Sequence, residues 1–228
     1  MSEVINFEYT IKFEDGTSQF FNVPVDSESF VIKDDDEVPG PEWTLLESNK
    51  CEHCPYQAEK KKYCPVAKNL AQASEIFKNH RSFVKVIAFV KSPQRSYGKS
   101  TDLQTALFSL FGLIMASSNC PHLHLFKSMA RYHLPFSSLD ETSIRALGMY
   151  LLSKYIESLD DPSVKVDLTG LSEKYSAIEK VNRGIIERIR SLKGGDANKN
   201  AIVILDNFAT LLPLEISSGL SEIKPIFK

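Results

Sequence analysis

Three of the chain's four cysteines fall within CEHCPYQAEKKKYCP, residues 51 to 65. Cys51 and Cys54 form a C-x-x-C pair, whose thiolates can clasp one ion from a tight turn. Cys64 follows after nine residues, and Cys120, in SSNCP, after another fifty-five. Four thiolates make the tetrahedral shell that Zn2+ adopts in structural sites, at Zn–S distances of ~2.3 Å. Proline follows Cys54, Cys64 and Cys120, and it stiffens each knuckle by fixing φ and removing a backbone donor. Cys-Pro also follows ligands of some ferredoxin clusters, so an iron–sulfur cluster is the alternative occupant of the same four residues. With Cys120 as the fourth ligand, the metal ties this segment to the helical half of the chain and couples metal binding to folding.

Two other readings compete for the cysteines. Glu52-His53 between Cys51 and Cys54 is similar to the spacer of dithiol oxidoreductases, where an intervening His lowers the thiol pKa. That reading expects a strand-to-helix turn, and neither the preceding SNK nor the acidic loop before it supplies the strand. The blander reading is four unrelated buried thiols. His53 beside Cys54, and His122 and His124 beside Cys120, are stand-in ligands; the alternative for each is a surface or packing role.

A second group of residues suits an anion. KSPQRSYGKS, 91 to 100, carries Lys91, Arg95, Tyr97 and Lys99 ahead of a helix, whose amides and partial positive charge favour anions. MARYHLPF, 129 to 136, adds Arg131, Tyr132 and His133. If the two loops converge, Arg95, Tyr97, Lys99, Arg131 and His133 form a basic, aromatic pocket for a carboxylate or phosphate. The alternative is two solvated loops, with Arg131 bonded to carbonyls. Gly98-Lys99-Ser100 is not a phosphate-binding loop, because that pattern needs glycine where the chain has Pro93. AIVILD, 201 to 206, fits a helix as well as the strand that accompanies such a loop. Lys60, Lys61 and Lys62 read as a solvated helix start rather than a nucleic-acid face. No Ser-His-Asp order and no carboxylate pair stands out, so no catalytic residue is assigned and enzyme status stays open.

These residues need a scaffold. VINFEYTIKF alternates, with Ile5, Phe7, Tyr9, Ile11 and Phe13 on one face. Asp15-Gly16 predicts a two-residue hairpin turn. SQFFNVPV returns, with Pro24 marking an edge or exit, and ESFVIK is read as a third strand. The acidic loop 34–43 leads to the cysteine segment. Helical spacing covers 66–80, FVKVIAFV predicts a buried strand at 83–90, and 101–116 forms a helix capped by Thr101 or Ser100. Further helices are expected near 122–133, 139–158, 168–192 and 198–212. In LDETSIR, Ser138 or Asp140 caps the helix, Glu141 belongs in its first turn, and Glu141 is expected to pair with Arg145. The class is α+β: a small N-terminal antiparallel β-meander (1–45), a metal-binding Cys connector with one helix and one strand (46–92), and a C-terminal helical bundle (93–228), tied into one unit by Cys120.

Bulk properties narrow the setting. Hydrophobic residues make up 43% and charged residues 25%, and 27 basic against 29 acidic residues leave a net charge of -2. No global field favours nucleic acid or a membrane surface, so any anion site is local. The N-terminal residues show no apolar run of signal-peptide length and no stretch approaches the ~18 apolar residues of a span, which points to the cytoplasm. There, cysteines serve metal or redox chemistry more often than disulfides.

Taken together, PEWTLLESNKCEHCP, YCPVAKNL, RSYGKSTDLQ, SLFGLIMASSNCP, MARYHLPF and DETSIR resemble a family of uncharacterised bacterial proteins, a domain of unknown function. The resemblance runs from the strands near residue 5 to the helix near residue 212. It implies cysteines at the positions of Cys51, Cys54, Cys64 and Cys120 across the family, in keeping with one four-ligand site, and it carries no activity. The expectation is a cytoplasmic zinc-binding regulatory or interaction module whose partner is a protein or a small anionic ligand. The alternatives are a metalloenzyme acting on a small anionic substrate and a dithiol oxidoreductase built on Cys51 and Cys54.

Overall fold

The computed structural model describes residues 3–33 and 37–228; Asp34, Asp35 and Asp36 of the acidic loop, with the first two residues, lie outside the described residues. Strands β1 (Val4–Phe13) and β2 (Ser18–Asp26) pair antiparallel, with Tyr9 opposite Phe21. The alternation in β1 does what it predicts: Phe7, Tyr9 and Ile11 are buried and the intervening residues are not. The hairpin differs from the two-residue expectation. The Phe13 N–H bonds the Thr17 carbonyl at 2.9 Å, and Gly16 takes φ 85°. The Asp15 carboxylate accepts both the N–H and the hydroxyl of Thr17, which widens the loop by one residue and leaves the left-handed position to Gly16.

ESFVIK is not a strand. The Asp26 carboxylate accepts from the backbone N–H groups of Glu28 and Ser29, turning the chain off the sheet edge, and Phe30 sits at φ 53°. Ile32 then bonds Ser117 at the end of a helix. The sheet is completed instead by β3 (Lys85–Lys91) and β4 (Ser96–Asp102), giving the antiparallel order β2-β1-β3-β4. KSPQRSYGKS is therefore a β-hairpin rather than a loop leading into a helix, and Gly98-Lys99-Ser100 lies within an edge strand.

Among the described residues there are six α-helices, α1 (Pro65–Phe77) between β2 and β3, and then α2 (Leu103–Ala116), α3 (Lys127–Arg131), α4 (Leu139–Asp160), α5 (Leu171–Arg190) and α6 (Ala197–Ser217) after the sheet. The class is α+β, as the sequence predicts. Helix α2 is apolar almost all round and is buried accordingly, packing against β3, β4, α1 and α6. Its cap is Asp102, whose carboxylate accepts the Thr105 N–H at 3.0 Å, one residue beyond the expected Thr101. The helix expected over 122–133 splits into a 3-10 segment, Pro121–Phe126, and the short α3. AIVILD is helical, within α6. Ser138 and Glu141 close a reciprocal capping box at the start of α4. Among the described residues, α6 is the single unbroken helix long and apolar enough to cross a membrane; it packs on α2 and α5 and buries Ala201, Ile202, Ala209 and Leu212.

A candidate metal centre and a cavity in the helical bundle

The cysteine segment is a loop closed at its base by a short pairing of the chain with itself. The Cys64 N–H bonds the Thr44 carbonyl and the Leu46 N–H bonds the Lys62 carbonyl, each at 2.9 Å, around a bridge between Leu45 and Tyr63. Within the loop, the Cys54 N–H bonds the Cys51 carbonyl at 3.0 Å, which forms the tight turn that a C-x-x-C ligand pair needs. Cys64 is the residue before α1, with Pro65 as the first helical residue. Cys120 holds the same position before Pro121 and its 3-10 segment.

Helix α5 is the floor on which these pieces meet. His53 donates through Nε2 to the Ala177 carbonyl at 3.0 Å, and Glu52 pairs with Lys180 at 2.5 Å. One turn on, Gly184 faces Cys51; a Cβ at that position would stand 2.9 Å from the Cys51 Sγ. The Cys120 segment clamps on from the other side. His122 donates through Nε2 to the His53 carbonyl at 3.0 Å, the two imidazoles stack with centroids 4.0 Å apart, and the Tyr56 hydroxyl bonds the Asn119 carbonyl. Three stretches distant in sequence are thereby drawn onto one helix face.

The electrostatics place all four thiols in one neighbourhood. Burial, then the neighbouring Cys64 and Cys54, pushes the Cys51 thiol up to about 11. Burial pushes Cys120 up to about 12; the His122 amide works against it, and Cys64, Cys51 and Cys54 reinforce it. Cys64 is raised by burial and eased by Arg188 and by the amides of Ala67 and Val66. All four are free thiols. Among the described residues, no group of three or more His, Cys, Asp or Glu side chains stands ready to hold a metal ion as it is.

Whether a metal fits can be judged from Arg188. Its side chain is among the largest fully buried in the protein, and it donates to the carbonyls of Trp43 (2.8 Å), Leu45 (2.6 Å) and Leu46 (2.9 Å). It forms no ion pair among the described residues, and its Nε is buried without a partner. Its charge acts on Cys51 and Cys64. A buried cation without a counter-ion is costly, and thiolates gathered on one ion would supply that counter-charge. The His53 Nδ1 is likewise buried without a partner, a lone pair beside Cys54.

Of the residues expected to bind an anion, Arg131 and His133 line different recesses, and Arg95, Tyr97 and Lys99 line neither. Arg131 donates to the Ser27 carbonyl at 2.8 Å and lies over the Phe30 ring. It lines a shallow depression with Lys91, Ser92, Pro93 and Gln94, and with Glu3 and Glu8 on the same wall. Arg95 sits in that β3–β4 turn, its carbonyl accepting the Ser92 N–H, while Tyr97 and Lys99 lie on β4. The helix N-terminus near them already has its anion, the carboxylate of Asp102.

His133 instead lines a cavity of about 130 Å³ inside the bundle, among Phe108, Leu113, Met129, Tyr175 and Phe208. Its Nε2 shares a hydrogen bond with the buried Tyr9 hydroxyl, which also bonds Ser109 at 3.1 Å. Burial, then the Arg145 cation, holds the His133 imidazole down at about 3, and burial pushes the Tyr9 hydroxyl up. Both partners are therefore neutral.

Arg145 also lines this cavity, and its Nη2 donates to the Met129 and Tyr132 carbonyls at 2.8 Å each. The expected Glu141–Arg145 pair is replaced by these carbonyls, because the Glu141 carboxylate is engaged with the Ser138 N–H in the capping box. Sequence reasoning passed over Arg188 and gave Arg145 only a pairing with Glu141. The available signal for Arg188 was its place in the buried stripe Val181, Ile185, Ile189, where a guanidinium is anomalous.

No curated protein and no solved structure matches the chain. A family model matches residues 7–228, nearly its whole length. On that match, the chain belongs to the family described as domain of unknown function DUF6901.

Proposed function

We propose that the protein is a cytoplasmic zinc-binding regulatory or interaction module, in which one structural Zn2+ is held by Cys51, Cys54, Cys64 and Cys120. The observation that carries this reading is Arg188, buried beside Cys51 and Cys64 with only carbonyls for partners. Four thiolates around Zn2+ bear net negative charge, which balances that cation in a medium where neither charge is tolerated alone. When bound, the ion supplies a cross-link among the cysteine loop, the start of α1 and the segment after α2. Four protein ligands leave no open position for water or substrate, which favours a structural over a catalytic role.

An iron–sulfur cluster would use the same ligands, and its colour separates it from zinc. The dithiol reading has less support. Reactive thiols are activated by lowered pKa values, whereas burial pushes Cys51 up. A small anionic partner is proposed to meet Arg131 and Lys91, which line one depression with Ser92, Pro93 and Gln94 and with Glu3 and Glu8.

The test is zinc release from Cys120→Ser. The variant should bind zinc more weakly by ~10-fold or more and lose thermal stability in step, because the cross-link to the helical half is gone. Full zinc affinity in Cys120→Ser would place the fourth ligand elsewhere, with His53 the first candidate.

A further inference from the structure

The bundle cavity is built from a different set of residues than the metal centre and invites its own reading. Its walls are mostly aliphatic and aromatic, drawn from α2, α4, α5, α6 and the turn around His133. At about 130 Å³ it is close to the ~150 Å³ of an apolar protein cavity that stays dry and takes up benzene. A void of this size costs packing energy unless something fills it.

One end of the cavity is polar, and the chemistry there is unbalanced. Arg145 is fixed by two carbonyls and makes no ion pair among the described residues. Its nearest carboxylate along the helix, Glu141, is held in the capping box. His133 shares a hydrogen bond with Tyr9 through Nε2 and lines the same cavity. Tyr175 lines the same space. A guanidinium held by two carbonyls, with no carboxylate paired to it among the described residues, therefore borders an apolar slot.

We propose that this cavity is the binding site for a small apolar monocarboxylate, its ring or branched chain in the slot and its carboxylate on Arg145. A guanidinium in a partly desolvated site pairs best with a carboxylate. A neutral ligand would leave the cation unanswered, and a phosphate monoester would bring a second charge into apolar walls. A slot of this volume takes a body of about benzene size. This site is separate from the metal centre, so loss of zinc binding in the cysteine variants would not bear on it.

The experiment uses the full chain as purified, with labelled Met115 and Met129 methyls, both of which line the cavity. Benzoate, benzyl alcohol and benzene are titrated separately. Benzoate should shift both methyls saturably and bind about tenfold or more tighter than benzyl alcohol, as expected for one charge-assisted pair. In Arg145→Gln that preference should vanish while benzene still binds, which also reports an intact cavity. Ala209→Phe, which fills the slot, should abolish all three. If Arg145→Gln fails to fold, the benzoate preference of the unaltered chain decides alone. Equal binding of benzoate and benzyl alcohol, or no shift with any probe at millimolar concentration, overturns the proposal.

Discussion

Arg188 lies buried beside Cys51, its N–H groups directed to the carbonyls of the Trp43–Leu46 stretch and its charge unanswered by any carboxylate among the described residues. The same guanidinium anchors the base of the cysteine loop and, against the larger effect of burial, acts to lower the thiol pKa values of Cys51 and Cys64, which is where the proposed zinc would sit. Arg188→Met should therefore lower unfolding stability by about 3 kcal/mol or more, since it strands three buried acceptors. It should also weaken zinc binding, as read by a competitive chelator titration. Arg188→Lys should recover only part of either loss, because one ammonium cannot reach three carbonyls in the geometry of a planar fork. A methionine variant as stable as the parent would sink this assignment.

Gly184 tests how tightly the cysteine loop is seated. A methyl there would press on the Cys51 Sγ at 2.9 Å, so Gly184→Ala should cost about 1–3 kcal/mol as overpacking and speed zinc loss. Gly148 in α4 is the control, with nothing within 4 Å of its added Cβ. Gly148→Ala should be stabilising by ~0.5–1 kcal/mol, from helix propensity alone. Urea unfolding of the pair separates packing from propensity; equal effects at both positions would contradict the close seating of Cys51.

The Tyr9–His133 bond predicts an acid-sensitive fold. Burial, then Arg145, depresses the His133 pKa from 6.5 to about 3 in the folded chain. Between these values the unfolded chain binds the extra proton, so stability from this group is fully present above about 6.5 and falls as pH drops toward 3. The difference in unfolding free energy between parent and His133→Asn, followed from neutral pH downward, should shrink across that window. A difference that does not change with pH would mean that His133 titrates normally.

Much of the architecture was legible because periodicity reports burial directly. The alternation in β1, the apolar run of β3 and the capping box at Ser138 each follow from local chemistry. ESFVIK failed because Asp26 bends the chain after it has the composition of a strand, and composition does not show where a side chain will cap a turn. KSPQRSYGKS failed for the converse reason. Its polar residues suit a loop, yet β4 is an edge strand whose pairing with β3 comes from tertiary context. Spacing groups the cysteines as an expectation only, and among the described residues no group of three or more metal-ligating side chains is found. The roles of Arg188 and Arg145 could not be read from the sequence, because a buried arginine is recognised by what surrounds it, and those neighbours come from more than a hundred residues away or from another helix.

The most direct test of the central claim is the metal content of the full-length chain purified without added metal, read by elemental analysis together with its visible spectrum. The account predicts one zinc per chain, no visible colour, and a thermal midpoint that falls when a strong chelator removes the ion. A metal-free chain whose midpoint is unchanged by added zinc, or a brown chain carrying iron, would contradict it.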